Sequence, residues 1–264
     1  MKKREVWPRM TIVLIIIYLA VPLLATILYS VVITWDGVNI NGFVPRYYIE
    51  LFSSMKFPTI LLNTLLISVI SALICLVILL FAMYVVVVHF PRLDKYVHIL
   101  CLMPYTVQGI ILSTSLLTVY SGIGGILSDR IFLLACAYGI LALPYMYQSI
   151  RNNLNAIPVT CYLESAEILG AGKFRGFFAV IVPNLLSGMA TSFLLSVGVL
   201  FNDFAIINIL AGSYLTTVQM YMQNNGWRSG HLTSAIVIAS FAITTLLTVF
   251  VLALKSRAQK EKNI

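Results

Sequence analysis

At 264 residues the chain carries 60% hydrophobic side chains and 10% charged ones, where a soluble domain has about 45–50% and about 25%. Polar surface is too scarce to face water, which excludes a soluble globular enzyme or binding domain and makes lipid the solvent of most side chains. The net charge of +8 would suit a nucleic-acid partner in a soluble protein, but here Lys and Arg flank apolar runs, as cytoplasmic anchors do.

Six runs pass the test of about 20 residues crossing about 30 Å of hydrocarbon as helix, predicting an all-α, polytopic membrane protein with six transmembrane helices. The first, Met10 to Thr34, follows Lys2, Lys3, Arg4 and Arg9. It is longer than a signal-peptide core and has no A-x-A site after it, so it reads as an uncleaved helix. The second lies within Phe57–Val88 and exceeds what the bilayer needs, which predicts tilt or extension beyond it. The third occupies Val97–Tyr120, before the break Ser121-Gly122-Ile123-Gly124-Gly125. The fourth is Ile131–Ile150, the fifth runs from Pro183 to Ala211, and the sixth fills Leu232–Leu254. Pro22, Pro104 and Pro144 are expected to bend their helices. The domains are then a cytoplasmic N-terminus (1–9), a six-span transmembrane domain (10–254) and a basic cytoplasmic tail (255–264).

Six spans alternate the loops so that thirteen Lys and Arg fall on one face. These include Arg92, Lys95, Arg151, Lys173 and Arg175 along with both termini. Arg46, Lys56, Arg130 and Arg228 fall on the other, so the excess puts both termini in the cytoplasm. Cys75, Cys101, Cys136 and Cys161 form no CxxC pair, and His89, His98 and His231 are scattered at membrane edges. Neither a disulfide framework nor a metal site is implied.

Between the fourth and fifth spans, residues 151–183 make a cytoplasmic loop longer than a helix connection requires. Val159 to Gly172 reads as a short helix within it. Thr160 is its expected N-cap, Glu164 and Glu167 share one face, Leu163, Ala166 and Leu169 or Gly170 form an apolar stripe, and glycines stop it. Glu rather than Lys on the polar face argues against an anionic lipid surface and for a protein partner.

Glu164-Ser165-Ala166, with Glu167 next, Gly170 at the seventh position and Val180-Ile181-Val182-Pro183 beyond, resembles the EAA signature, EAA-x3-G-x9-I-x-L-P, of permease subunits of ABC importers. Ser165 stands where the pattern has Ala, and Val180 and Val182 where it has Ile and Leu. Asn63-Thr64-Leu65-Leu66 is similar to the segment opening that family's core. Phe201-Asn202-Asp203-Phe204 followed by Leu210-Ala211-Gly212 resembles a fifth-span motif of the spermidine/putrescine subgroup, whose relatives move 2-aminoethylphosphonate, thiamine and ferric iron. The resemblance implies a type I ABC importer permease fold with a cytoplasmic coupling helix, whose residues here are Glu164, Ser165, Ala166, Glu167, Gly170 and Pro183. It implies half of a translocation pathway in a bacterial inner (plasma) membrane. It also implies partners: a dimer of ATP-binding ABC ATPase subunits, a second permease chain of non-identical sequence, and an extracytoplasmic solute-binding protein.

Gly170-Ala171-Gly172-Lys173 does not meet G-x4-G-K-[ST], since Glu167 and Phe174 occupy the required positions, so ATP hydrolysis belongs to a partner. No catalytic residue, cofactor, metal or nucleic-acid partner is expected. Asp203 is the only acidic residue inside a predicted span, where it either faces a cavity as a counter-charge for a polyamine or hydrogen-bonds a neighbouring helix. Asn202, Tyr105 and Tyr145 are candidates for the substrate pathway beside it. Gln108, Gln148, Gln219 and Tyr221 are further polar candidates, the tyrosines equally placed for an interfacial belt. The rival from a different class is an ion-gradient-driven secondary transporter, which would leave the EAA-like loop unexplained and for which inverted repeats are not evident.

Overall fold

The computed structural model describes residues 6–35, 40–43, 45–53, 55–107, 109–227 and 229–262. Lys2, Lys3, Arg4, Gln108 and Arg228 lie outside the described residues. Apart from one antiparallel hairpin, β1 (Val32–Trp35) with β2 (Ile40–Phe43), the regular elements among them are helical.

Four helices are long and apolar enough to cross a bilayer: α1 (Val6–Val31), α3 (Lys56–Val88), α6 (Arg130–Asn155) and α12 (Gly230–Lys262). Two bent helix pairs pass the same test together, which makes up to six spans among the described residues when each pair is counted as one. The all-α polytopic fold therefore stands, while three predicted spans need correction. The first ends at Val31 rather than Thr34, because β-branched Val32, Ile33 and Thr34 turn into the hairpin.

The third span is not one helix: Pro91–Thr106, containing α4 (Asp94–Leu102), and α5 (Gly109–Tyr120) are bent by 102°. Pro104 sits in a 3-10 turn, Met103–Thr106, and Val107 is extended at φ −98 and ψ 114, which interrupts the ladder. At 1.5 Å per residue, α5 by itself covers only about 18 Å. Pro22 and Pro144, by contrast, lie inside unbroken helices.

The fifth span begins earlier and ends sooner than expected. After the loop helix α7 (Val159–Ile168) come α8 (Lys173–Gly176), a π-helical turn at Phe177–Ile181 and α9 (Val182–Phe201). Pro183 falls in the first turn of α9, directly after the wide turn; a π bulge leaves room for a residue that cannot donate. The segments Lys173–Leu186 and Gly188–Phe201 are bent by 65°. Helix ends at Phe201, and α10 (Ala205–Ala211) starts separately.

The chain divides into two units, Met1–Leu61 with Met220–Val249, and Leu62–Gln219 with Phe250–Ile264. In the first, α1 buries only Ser30 among its described side chains, and that hydroxyl pairs with Tyr48 Oη at 2.8 Å, tying α1 to α2 (Arg46–Ser53). His231, at the start of α12, stacks on Tyr29 at 4.0 Å and on Tyr47 at 5.6 Å, and its Nδ1 meets the Tyr29 carbonyl at 2.8 Å. The remaining apolar faces of α1 are exposed, as lipid-solvated faces are.

In the second unit α6 is the central helix. Asp129 caps it by accepting the N–H groups of Ile131 and Phe132, each at 2.9 Å. Its buried residues recur at three- and four-residue steps, Leu134, Ala137, Tyr138, Ala142, Met146 and Ile150 among them, a stripe that packs most extensively on α9. Where those helices meet, the Asn153 amide fills the space a Cβ on Gly188 would take, and Ser149 Oγ donates to the Gly188 carbonyl at 3.1 Å. Arg151 pairs with Asp94 at 2.7 Å, holding α4 to α6. On α3, Thr64 Oγ1 accepts the Val218 N–H at 3.1 Å and Cys75 Sγ donates to the Gly139 carbonyl at 3.3 Å.

Candidate functional site

Two groups of predicted residues can be followed into the structure. The first surrounds α7. Pro158 stands at its N-cap without a side-chain bond, so Thr160, expected as the cap, lies inside the first turn instead. Pro158 fixes φ near the helical value and leaves a Thr two residues on with no orphan N–H to reach.

The C-terminal stop is as the glycines suggested. Gly170 has φ +81, and its N–H reaches the Glu167 carbonyl while Ala171 N–H reaches that of Ala166, both at 2.9 Å. That pair of bonds is a Schellman closure, and it needs the left-handed residue that Gly supplies without strain.

Glu164, Ser165 and Glu167 are exposed, whereas Ala166 is 7% exposed and turned inward. Ser165 Oγ is spent on the Cys161 carbonyl at 2.7 Å. Lys173 lies 3.8 Å from Glu167, an exposed pair of little energetic weight. The expected apolar stripe needs correction: Leu163 and Ala166 face Gly176 of α8, but Leu169 is 86% exposed, as is Ile168. Ile168 and Leu169 end the helix, and the αL turn at Gly170 directs the following chain away from it. Two carboxylates and two bare aliphatic side chains thus share one projecting tip, a surface that water alone does not favour.

The second group lies along α6. Tyr105 and Tyr145 meet edge to face, with ring centroids 5.3 Å apart. Two turns away on the same face, Tyr138 Oη donates to Asp203 Oδ2 at 3.3 Å. Asp203 is not inside a helix. It stands in the break between α9 and α10, and its carboxylate accepts the N–H groups of Ile206 at 3.1 Å and Ile207 at 3.2 Å. An Asp that takes orphan donors at a helix start has a structural occupation. Asn202 is exposed, donates to the Gly198 carbonyl at 2.8 Å, and accepts from Gln219 Nε2 at 3.1 Å. Gln148 is exposed, and Tyr221 packs its ring 6.1 Å from that of Phe57. Among the described residues no three His, Cys, Asp or Glu side chains gather as a metal site.

Tyr138, Asn153 and Gly188 escaped the sequence reading. Tyr138 carried a signal, being seven residues before Tyr145 and hence on its face. A close approach at Gly188 has no mark in one sequence beyond the glycine itself.

Residues 79–260 match the family described as binding-protein-dependent transport system inner membrane component. No curated protein matches the chain.

Proposed function

Because the chain belongs to the family of binding-protein-dependent transport system inner membrane components, we propose that α7 is the element on which its ATPase partner docks and that the solute is a polyamine. The family assigns the coarser role: this is a membrane-spanning permease subunit of an ABC importer, a transport component that works with an ATPase and a solute-binding protein. The docking proposal is carried by the projecting tip of α7. Glu164 and Glu167 are exposed beside Ile168 and Leu169, on a helix whose other side is seated by Ala166 against Gly176. Such a helix is rigidly backed and chemically unfinished, which suits a protein groove that accepts aliphatic side chains and offers cations to the carboxylates.

Both termini belong in the cytoplasm on this reading, with the basic loops around α7. A second, non-identical permease chain completes the pathway. The polyamine proposal rests on the subgroup resemblance of residues 201–212, with support from two separate features: the Asp203 carboxylate beside Tyr138, and the paired rings of Tyr105 and Tyr145, whose faces suit a cation.

Affinity purification of the tagged chain in mild detergent tests the docking role. An ATPase should be recovered, and Glu164→Arg should lose it while leaving membrane insertion intact. An ATPase retained at full yield by the inserted Glu164→Arg chain would count against docking on α7. Uptake of labelled spermidine by reconstituted complex, driven by ATP, tests the substrate. Uptake that ignores ATP and follows an ion gradient would return the secondary-transporter reading.

A further inference from the structure

The tightest gathering of aromatic rings in the second unit lies where α3 meets the segment following α7. The Tyr84 ring is 5.4 Å from Phe174, 5.3 Å from Phe177 and 6.0 Å from Phe178, and Phe81 is 5.4 Å from Phe178. Phe177 is fully buried and opens the π-helical turn. The residue before it, Gly176, is the seat of α7: a Cβ there would lie 3.1 Å from Ala166 Cβ and 3.5 Å from Leu163 Cδ2. From Ala166 through Gly176 and the phenylalanines to Tyr84 the contacts are continuous.

Beyond Tyr84 the connection is a stiff one. Between Tyr84 and Thr64, α3 holds no Pro or Gly and spans about 30 Å, the thickness of the hydrocarbon layer. At its far end Thr64 Oγ1 accepts the Val218 N–H, and the next residue, Gln219, donates to Asn202. A π turn inside an otherwise α-helical rod is a common place for a functional deformation, and here it carries the rings that grip Tyr84.

We propose that Tyr84 is a positioning residue for transport: it keys α3 to the Phe174–Phe178 turn, so that displacement of α7 moves α3 and is read at Thr64–Val218 and Asn202–Gln219. The proposal rests on the reading of α7 as the docking element. The ring, not the hydroxyl, is the working part, because Tyr84 meets its partners through aromatic faces and edges.

The test uses the complete complex of this chain with its ATPase in lipid nanodiscs. Exposed Cys136 and Cys161 are replaced by Ala, and one reporter, Thr216→Cys, is placed two residues before Val218. The rate of its labelling by a membrane-impermeant maleimide is read with and without MgATP and vanadate, a readout that needs no transported solute. Tyr84→Phe should keep the severalfold nucleotide response of the parent. Tyr84→Leu and Phe178→Leu should each abolish it while ATPase recovery and basal ATP hydrolysis stay at parental levels, and the double variant should be no worse than either.

A full nucleotide response in Tyr84→Leu overturns the proposal, as does a loss that merely tracks loss of bound ATPase. If Tyr84→Leu does not insert, Phe178→Leu decides: a retained response overturns it, and a lost response with ATPase still bound supports it. Failure of the premise has its own signature, since Glu164→Arg would then leave both ATPase recovery and the reporter response unchanged.

Discussion

Replacing Gly188 by Ala puts a methyl group where the Asn153 amide already sits. The added Cβ would lie 2.6 Å from Asn153 Oδ1 and closer still to its Nδ2, well inside van der Waals contact. Asn153 must rotate away, which breaks its 2.7 Å bond to the Ser149 carbonyl and disturbs the Ser149 bond to the Gly188 carbonyl. Overpacking of this kind costs about 1–3 kcal/mol, and a lost bond about 1 kcal/mol. Ala gains roughly 1 kcal/mol over Gly in a helix, which offsets part of this. The net expectation for Gly188→Ala is a loss of about 1–3 kcal/mol. With Asn153→Ala already present the clash is gone and only the helix preference remains, so the same substitution becomes neutral or stabilising by up to about 1 kcal/mol. The interaction energy of the cycle is therefore about 1–4 kcal/mol. Unfolding midpoints of the purified chain in one detergent and lipid mixture, followed by helicity, give all four corners. Equal cost of Gly188→Ala with and without Asn153 would refute the contact as the cause.

Gly170→Ala, at φ +81 with open space around it, should suffer conformational strain of about 1–2 kcal/mol and unwind the end of α7, reducing ATPase recovery; Gly170→Asn should retain most of it. Gly176→Val drives a branched side chain into Ala166 and should weaken ATPase recovery and lower stability by about 1–3 kcal/mol in the same unfolding assay. Asp203→Asn keeps an oxygen to accept from Ile206 and Ile207 and should hold stability within about 0.5 kcal/mol, whereas Asp203→Ala loses about 1 kcal/mol. Spermidine uptake should fall in both, and undiminished uptake by Asp203→Asn would leave this carboxylate only its capping role. Asp94→Arg and Arg151→Asp should each cost about 1 kcal/mol, the pair being 28% and 38% exposed, and the exchanged double variant should recover most of it in the same unfolding assay.

What a single sequence revealed was what depends on neighbours along the chain. The apolar runs, the extent of α3, the start of the short helix at Val159 and its glycine stop follow from apolar length and local backbone preference, whereas α6 runs on to Asn155, beyond the predicted Ile150. The misses arise where tertiary partners choose between local options. Pro22, Pro104 and Pro144 have similar surroundings in sequence, yet only the region of Pro104 breaks, next to an extended Val107. Asp203 read as a charge within a span because its apolar flanks run on to Ala211; its carboxylate instead starts a new helix. Thr160 is a good cap by composition, but Pro158 takes the position first. Leu169 belonged to a stripe by spacing, yet at the C-cap of α7 it is 86% exposed. The family match covers residues 79–260 and so bears on α7 and α9 as folded elements, while the individual roles of Glu164 or Asp203 await the variants above.

The stacking of His231 on Tyr29 joins residues 202 positions apart. During synthesis α1 leaves the ribosome well before α12, so the contact of Tyr29 with His231 must wait for α12. At about 5–20 residues per second the interval is about 10–40 s. For that time α1 resides in the bilayer without that clasp, which its exposed apolar surface tolerates, since lipid solvates it. The order of assembly is thereby built into the chain: α12 closes over α1, and a truncation before residue 231 would leave α1 inserted but without this clasp.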